Sequence, residues 1–333
     1  MQSIPLAKRM AAFSVVIAFI SLLALDAVSQ TTSTGAGKNT QPPPPQKIRT
    51  FSSPEEAANA LVAAAEKYDV KALYEILGPE GKQIIETGEP ARDKEQAMAF
   101  AAQAREKMSV DKKTQYSSRG RHSNRTATLI VGKEDWPFPV PIIRRDQKWS
   151  FFTTVGIREL LLRRIGRNEL DAIEACRIYV EAQHDYALLK REGTGVNQYA
   201  QRIIATPGKQ DGLAWQNADG TWGGPLGPNI AAAVERGYTN RNEPFHGYFF
   251  KVLTGQGPSA PLGEMNWIVK GMMIGGFALI ATPAQYRLTG VKSFIVSYDG
   301  VVYEKDLGPN SVQIGRATER FNPDATWRPV ADQ

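Results

Sequence analysis

The chain has a single cysteine, Cys176, in 333 residues, which excludes an intramolecular disulfide and leaves the fold to be held by its core. Histidine is almost as scarce. His122, His184 and His246 are the whole supply, and none stands in an HExxH pattern or in a Cys/His cluster of zinc spacing, so no metal site is expected. Phosphate-binding loops, dinucleotide fingerprints and GxSxG elbows are absent, and no cofactor is expected. Charge of one sign is also lacking. The net charge of +6 is not concentrated in either folded half: residues 51–154 carry 16 basic and 15 acidic side chains, and residues 155–333 carry 19 and 18. A phosphate-tracking surface needs clustered Lys and Arg, so nucleic acid is excluded as a partner.

What the chain does have is an export signal. Lys8 and Arg9 precede an uncharged, mostly apolar stretch from Met10 to Leu25. Ala27-Val28-Ser29 then offers small residues at the positions a signal peptidase reads. The apolar stretch falls short of the about 20 residues of a membrane span. Residues 1–29 therefore read as a signal peptide, with a membrane as partner only if it stays uncleaved, and the mature protein is expected to be periplasmic or secreted. Residues 30–50, rich in Ser, Thr and Gly and carrying Pro42 to Pro45, read as a disordered tether.

Folded structure is expected from Ser53-Pro54-Glu55-Glu56, which combines an N-cap, a first-turn proline and a capping-box glutamate. Helices are predicted from Pro54, over Val70–Leu77 and over Lys94–Met108. Strands follow at Arg125–Val131, Val140–Ile143 and Trp149–Thr153, giving an α+β domain over 51–154. A long helix from Ile157 to Lys190 opens the second half. Its charged side holds the i,i+4 pairs Glu159–Arg163, Arg167–Asp171 and Arg177–Glu181, and Cys176 falls on its apolar side. Glu169 also falls among the apolar residues, so it is expected to be buried and bonded to donors from elsewhere. After a Gly-, Pro- and Asn-rich middle, strands are predicted at Gly247–Leu253, Trp267–Val269 and Phe277–Ala281. Val291–Ser297 and Val301–Lys305 close as a hairpin on a two-residue Asp299-Gly300 turn. The fold class is α+β throughout, and the second domain, 155–330, is a long helix packed on an antiparallel sheet.

Arg163-Arg164-Ile165-Gly166-Arg167-Asn168-Glu169-Leu170, Asp211-Gly212-Leu213, Pro225-Leu226-Gly227-Pro228, His246-Gly247-Tyr248 and Asp299-Gly300-Val301-Val302-Tyr303 resemble the marks of one family. That family, the domain of unknown function 2950, consists of exported bacterial proteins. The resemblance implies a bacterial cell-envelope protein and names no activity. Structural roles are expected for Arg164, Glu169, Asp299 and Gly300. The second half alone is also similar to the globular part of type II secretion pseudopilins, in its long helix, loop-rich middle and closing hairpin. It lacks their continuous membrane helix.

Candidate chemistry is thin. Glu181-x-x-His184 is half of a di-iron motif without its second half and reads as a helix-surface pair. Ser109-Val110-Asp111-Lys112 fits an SxxK pattern without its partner motifs, in what reads as a charged helix end. Asp219, Asp299 and Asp306 lie near glycines, without the ligand spacing of a calcium loop. His246 with Asp211 is the best acid/base candidate. Trp215, Trp222, Tyr238 and Tyr248 are candidate contact residues on the loop-rich face of residues 195–245, suited to an envelope protein or a glycan. A non-enzymatic interaction or assembly role in the cell envelope is the leading expectation; a periplasmic hydrolase using His246 with Asp211 is the alternative.

Overall fold

The computed structural model describes residues 48–116, 122–190, 195–238 and 243–331. The signal segment and nearly all of the tether lie outside these residues. Helix α1 (Pro54–Lys67) starts as its sequence dictates: Ser53 accepts a hydrogen bond from the Glu56 amide at 3.0 Å, and the Glu56 carboxylate reaches back to the amide of Ser52 at 2.9 Å. Helix α2 (Val70–Leu77) is capped by Asp69, and a short helical turn over Lys82–Ile85 leads to α3 (Pro90–Glu106). An antiparallel sheet follows, β1 (Met108–Tyr116), β2 (His122–Val131), β3 (Ile142–Arg145) and β4 (Lys148–Phe151), paired in that order. Trp136–Pro137 adds a two-residue rung to β2.

Helix α4 (Thr153–Ala187) is 35 residues long, about 50 Å at 1.5 Å per residue. Gly166 does not break it. The buried positions Ile165, Ala172, Ile173, Cys176, Tyr179, Val180 and Tyr186 recur at helical spacing. Beyond it lie α5 (Gly227–Glu235) and a second antiparallel sheet of β5 (Tyr248–Leu253), β6 (Ala278–Pro283), β7 (Lys292–Ser297) and β8 (Val302–Asp306). These strands pair in sequence order, with Arg328–Pro329 on the outer edge of β8. Helix α6 (Ser311–Ala317) packs on β6.

Two apolar clusters result. One gathers α1, α2, α3 and the first sheet around Leu61, Ile76, Leu129 and Phe151. The other gathers the rest of α4 and the second sheet around Cys176, Trp267, Phe277 and Phe294. The N-terminal part of α4 touches the first cluster through Leu160, and its remainder belongs to the second. The α+β class is therefore observed, with the long helix packed on an antiparallel sheet.

Three local expectations need correction. Ser109–Lys112 lies in strand β1, not in a helix end, because the backbone of Met108–Lys113 is paired with β2. The closing hairpin does not turn on two residues: Val296 pairs with Val302, and the chain reverses through a turn in which the Gly300 amide bonds Ser297 O at 3.0 Å. Gly300 takes a left-handed φ of 74° there, a position that favours glycine, while Asp299 accepts from the Val301 amide at 3.2 Å. The loop-rich middle also contains a helix, α5, opened by Pro228.

Candidate functional site

His246 and Gly247 form the two-residue tip of a tight hairpin. Phe245 and Tyr248 exchange backbone hydrogen bonds of 2.9 and 3.1 Å across it, and φ is 51° at His246 and 80° at Gly247. Left-handed backbone at both central residues is the type I′ arrangement that suits Asn-Gly. A histidine there is unfavourable locally, and such residues persist where the surroundings hold them. Gly247 has no alternative: a Cβ would fall 2.4 Å from Asn168 Nδ2 on α4.

The tip is held against α4 and α3. His246 Nδ1 lies 2.8 Å from Asp171 Oδ2, and Arg92 Nη2 lies 2.8 Å from the same oxygen. Phe245 stacks on the imidazole with ring centroids 4.3 Å apart. Burial raises the Asp171 carboxyl, but the bonds from His246 and Arg92 outweigh it and leave the group below its ordinary value. Burial likewise pushes His246 below its ordinary value, against the pull of Asp171. At neutral pH the pair is therefore a carboxylate and a neutral imidazole with its proton on Nδ1. Behind it, Glu89 is almost fully buried; burial raises its carboxyl to about 7, against Arg92 and Tyr238. The Tyr238 hydroxyl donates to Glu89 at 3.2 Å.

The proposed His246–Asp211 pair does not exist. Asp211 accepts from the Thr206 amide and hydroxyl at 2.7 and 2.8 Å, which closes its own turn, and Asp171 takes its place beside His246. The i,i+4 pair Arg167–Asp171 is likewise displaced, since Asp171 bonds Arg92 and His246 instead, whereas Glu159–Arg163 forms at 2.7 Å. Tyr248 is fully buried, with its hydroxyl on Lys292 O at 2.8 Å, so it presents nothing to a partner. Trp215 and Trp222 are half-buried on a short paired ladder and pack against the second core. Tyr238 belongs to the Glu89 cluster.

The structural candidates have partners. Glu169 is half-buried, and its Oε1 accepts from the amides of Val291 and Lys292 at 2.9 and 3.0 Å. Arg164 donates to the carbonyls of Gln83 and Ile84, and burial lowers its guanidinium to about 10. Asp219 Oδ1 accepts from the amide and hydroxyl of Thr221, and the two oxygens of Asp306 accept from the Tyr286 hydroxyl and the Gly308 amide. Among the described residues no group of three or more His, Cys, Asp or Glu is placed to hold a metal ion. No described helix is long and apolar enough to cross a membrane.

A second feature lies at the far end of α4. His184, Tyr199, Gln256, Leu262, Met265 and Tyr298 line a groove of about 290 Å³. Tyr199 and His184 pack edge-on against buried Phe277, with centroids 4.8 and 5.4 Å away. Gln256 is itself buried and donates to the carbonyls of Pro261 and Gly263. It thereby holds the loop that carries Leu262, which is 86 % exposed at a left-handed φ of 70°.

No curated protein and no solved structure matches the chain. The family model described as Protein of unknown function (DUF2950) matches residues 48–330, most of the chain and both halves of the fold, and the chain belongs to that family.

Proposed function

We propose that the protein is exported to the cell envelope and acts there by binding another component through the groove around Leu262, in an interaction or assembly role. Leu262 carries the reading. A leucine fixed outward in a left-handed backbone loses about 1–2 kcal/mol locally and also leaves its apolar surface in water, and neither loss serves the fold. Met265 and Tyr298 flank it at 37 % and 38 % exposure. A rigid, solvated apolar tip beside aromatic walls has the anatomy of a contact anchor. The signal-like residues 1–29 support export. A photo-crosslinker placed at Leu262 in cells should give a discrete adduct in the envelope fraction. One placed at Lys133, exposed beyond the end of β2, should give none. Free monomer alone at both positions would refute the reading. A pseudopilin-like assembly is one form that this role takes.

A second reading is hydrolysis, favoured by the orientation of the Asp171–His246 pair. A neutral imidazole held by a carboxylate at Nδ1 keeps Nε2 as a base. Loss of a screened activity in His246→Gln, with unchanged melting, would select it.

A further inference from the structure

The charges around the His246 hairpin do not close on themselves. Asp171 spends one oxygen, Oδ2, on both Arg92 and His246. Arg92 Nη1 is buried without a hydrogen-bond partner among the described residues, although the guanidinium also acts on Glu89 and Tyr238 behind it. Arg167 stands one turn before Asp171 on the same helix face; the cover of its neighbours and then the positive charge of Arg92 lower its guanidinium, against the attraction of Asp171. Arg236, at the C-cap of α5, presses its charge on His246, as Arg92 does. Arg167 and Arg236 are exposed, and neither forms an ion pair with a described residue. With Nδ1 committed to Asp171, His246 has Nε2 left, and no described residue bonds it. The imidazole is 18 % exposed and Asp171 33 %, so this edge of the cluster meets solvent. Glu89 and Tyr238 lie behind it and bond each other.

We propose that this rim is a binding site for a small oxyanion, a phosphate or carboxylate group, held by Arg167 and Arg236 with His246 Nε2 as a further donor. Arg92 and Arg236 both press positive charge on His246, and Arg92 presses on Arg167, so an added anion offsets their mutual repulsion. Binding is linked to proton uptake. The neutral imidazole takes up one proton from solvent at Nε2, keeps it, and hydrogen-bonds the anion through it, while Nδ1–H remains bonded to Asp171. The left-handed tip then has a purpose: it brings an imidazole, rather than the asparagine that the turn prefers, to Asp171 within the fields of Arg92 and Arg236. The site is separate from the Leu262 groove and stands whether or not that groove takes a partner.

The test is a pH titration of the His246 ring by NMR in the mature chain, assigned with His246→Asn. It is run with excess inorganic phosphate, with acetate, and with sodium chloride at matched ionic strength. Phosphate or acetate should raise the ring's midpoint by about one unit relative to chloride, the shift of a nearby opposite charge. The double variant Arg167→Gln/Arg236→Gln alters only exposed side chains and should melt as the parent does, yet lose that rise. A rise with phosphate alone assigns the ligand as phosphate, one with acetate alone as carboxylate, and one with both as either oxyanion. No rise with either anion, or an equal rise in the double variant, overturns the proposal.

Discussion

Replacing Glu169 by Ala tests whether the long helix is seated by directional bonds or by its apolar stripe alone. Glu169 Oε1 accepts from two consecutive amides, Val291 and Lys292, at 2.9 and 3.0 Å, just where β7 begins. The sheet ladder does not satisfy both amides: Lys292 pairs with Asp306 across β8, while Val291 precedes the strand. Truncation removes two charge-assisted bonds, each of about 1.5–3 kcal/mol when sheltered. Val291, Lys292 and Glu169 are all half-buried, so water replaces part of that loss. About 2 kcal/mol should remain. For a domain of this size, 1 kcal/mol moves the midpoint by roughly 2 °C, so Glu169→Ala should melt about 4 °C below the parent. Glu169→Gln keeps an acceptor oxygen and should recover about half of that. The control is Glu174→Ala, on the exposed side of the helix. Equal melting of Glu169→Ala and Glu174→Ala in differential scanning calorimetry would refute the reasoning, because the two amides would then cost nothing to abandon.

Glu89 makes stability depend on pH. Its carboxyl is raised from 4.5 to about 7 by burial, so between those values the native state keeps a proton that the unfolded chain has released. This group's contribution is complete below about pH 4.5 and is lost as pH rises through 7, by up to about 3 kcal/mol at 1.36 kcal/mol per unit. Glu89→Gln should therefore melt higher than the parent at pH 8 and equally at pH 4; a lower melting point at pH 8 would show that the ionised form is the stabilised one. Cys176 is fully buried, and burial pushes its thiol up to about 12. A thiol reagent should leave it unmodified in the native protein and label it promptly in denaturant; rapid native labelling would contradict its burial.

Local rules were sufficient where one segment supplied all of its own partners. Ser53-Pro54 started α1, Asp69 capped α2, and the apolar spacing from Ile165 to Tyr186 traced α4 through Gly166, where an added Cβ would meet nothing within 4 Å. Strand β1 was less legible because its signal is two residues long: Met108 and Val110 alternate toward the first core, and everything after them is polar. Only pairing with β2 makes it a strand. The cluster around His246 was illegible for a stronger reason. Arg92 and His246 lie 79 and 75 residues from Asp171. Sequence spacing offered Asp171 only Arg167, one turn away, and His246 only the nearest family-marked acid, Asp211. Arg167 loses, since an exposed i,i+4 pair is worth tenths of a kcal/mol and a sheltered charge-assisted bond several times that; Asp211 is held in its own turn by Thr206. Glu169 is the intermediate case. Its phase announced that it needed donors, and nothing in its neighbourhood announced that they were amides at the start of β7.

These polar positions share one helix, and that explains why they are polar. An apolar stripe repeating at 3.6 residues looks nearly the same after a slide of two turns, so apolar packing alone leaves a 35-residue rod free to choose among registers. Directional partners at fixed places remove that freedom. Arg164 meets the Gln83 and Ile84 carbonyls, Asn168 meets Thr289 O at 2.8 Å, and Tyr179 meets Ala278 O at 3.1 Å. Gln183 grips the amide and carbonyl of Ala200 at 2.8 Å each. Each of these partners is backbone, whose place is set by the fold and not by a rotamer. Asp171 differs, because both of its partners are ionisable side chains at an edge that reaches solvent. A residue needed only to fix register would do so at lower risk on backbone, as its neighbours do. That Asp171 instead holds a histidine in a left-handed turn is the reason to look for a ligand there.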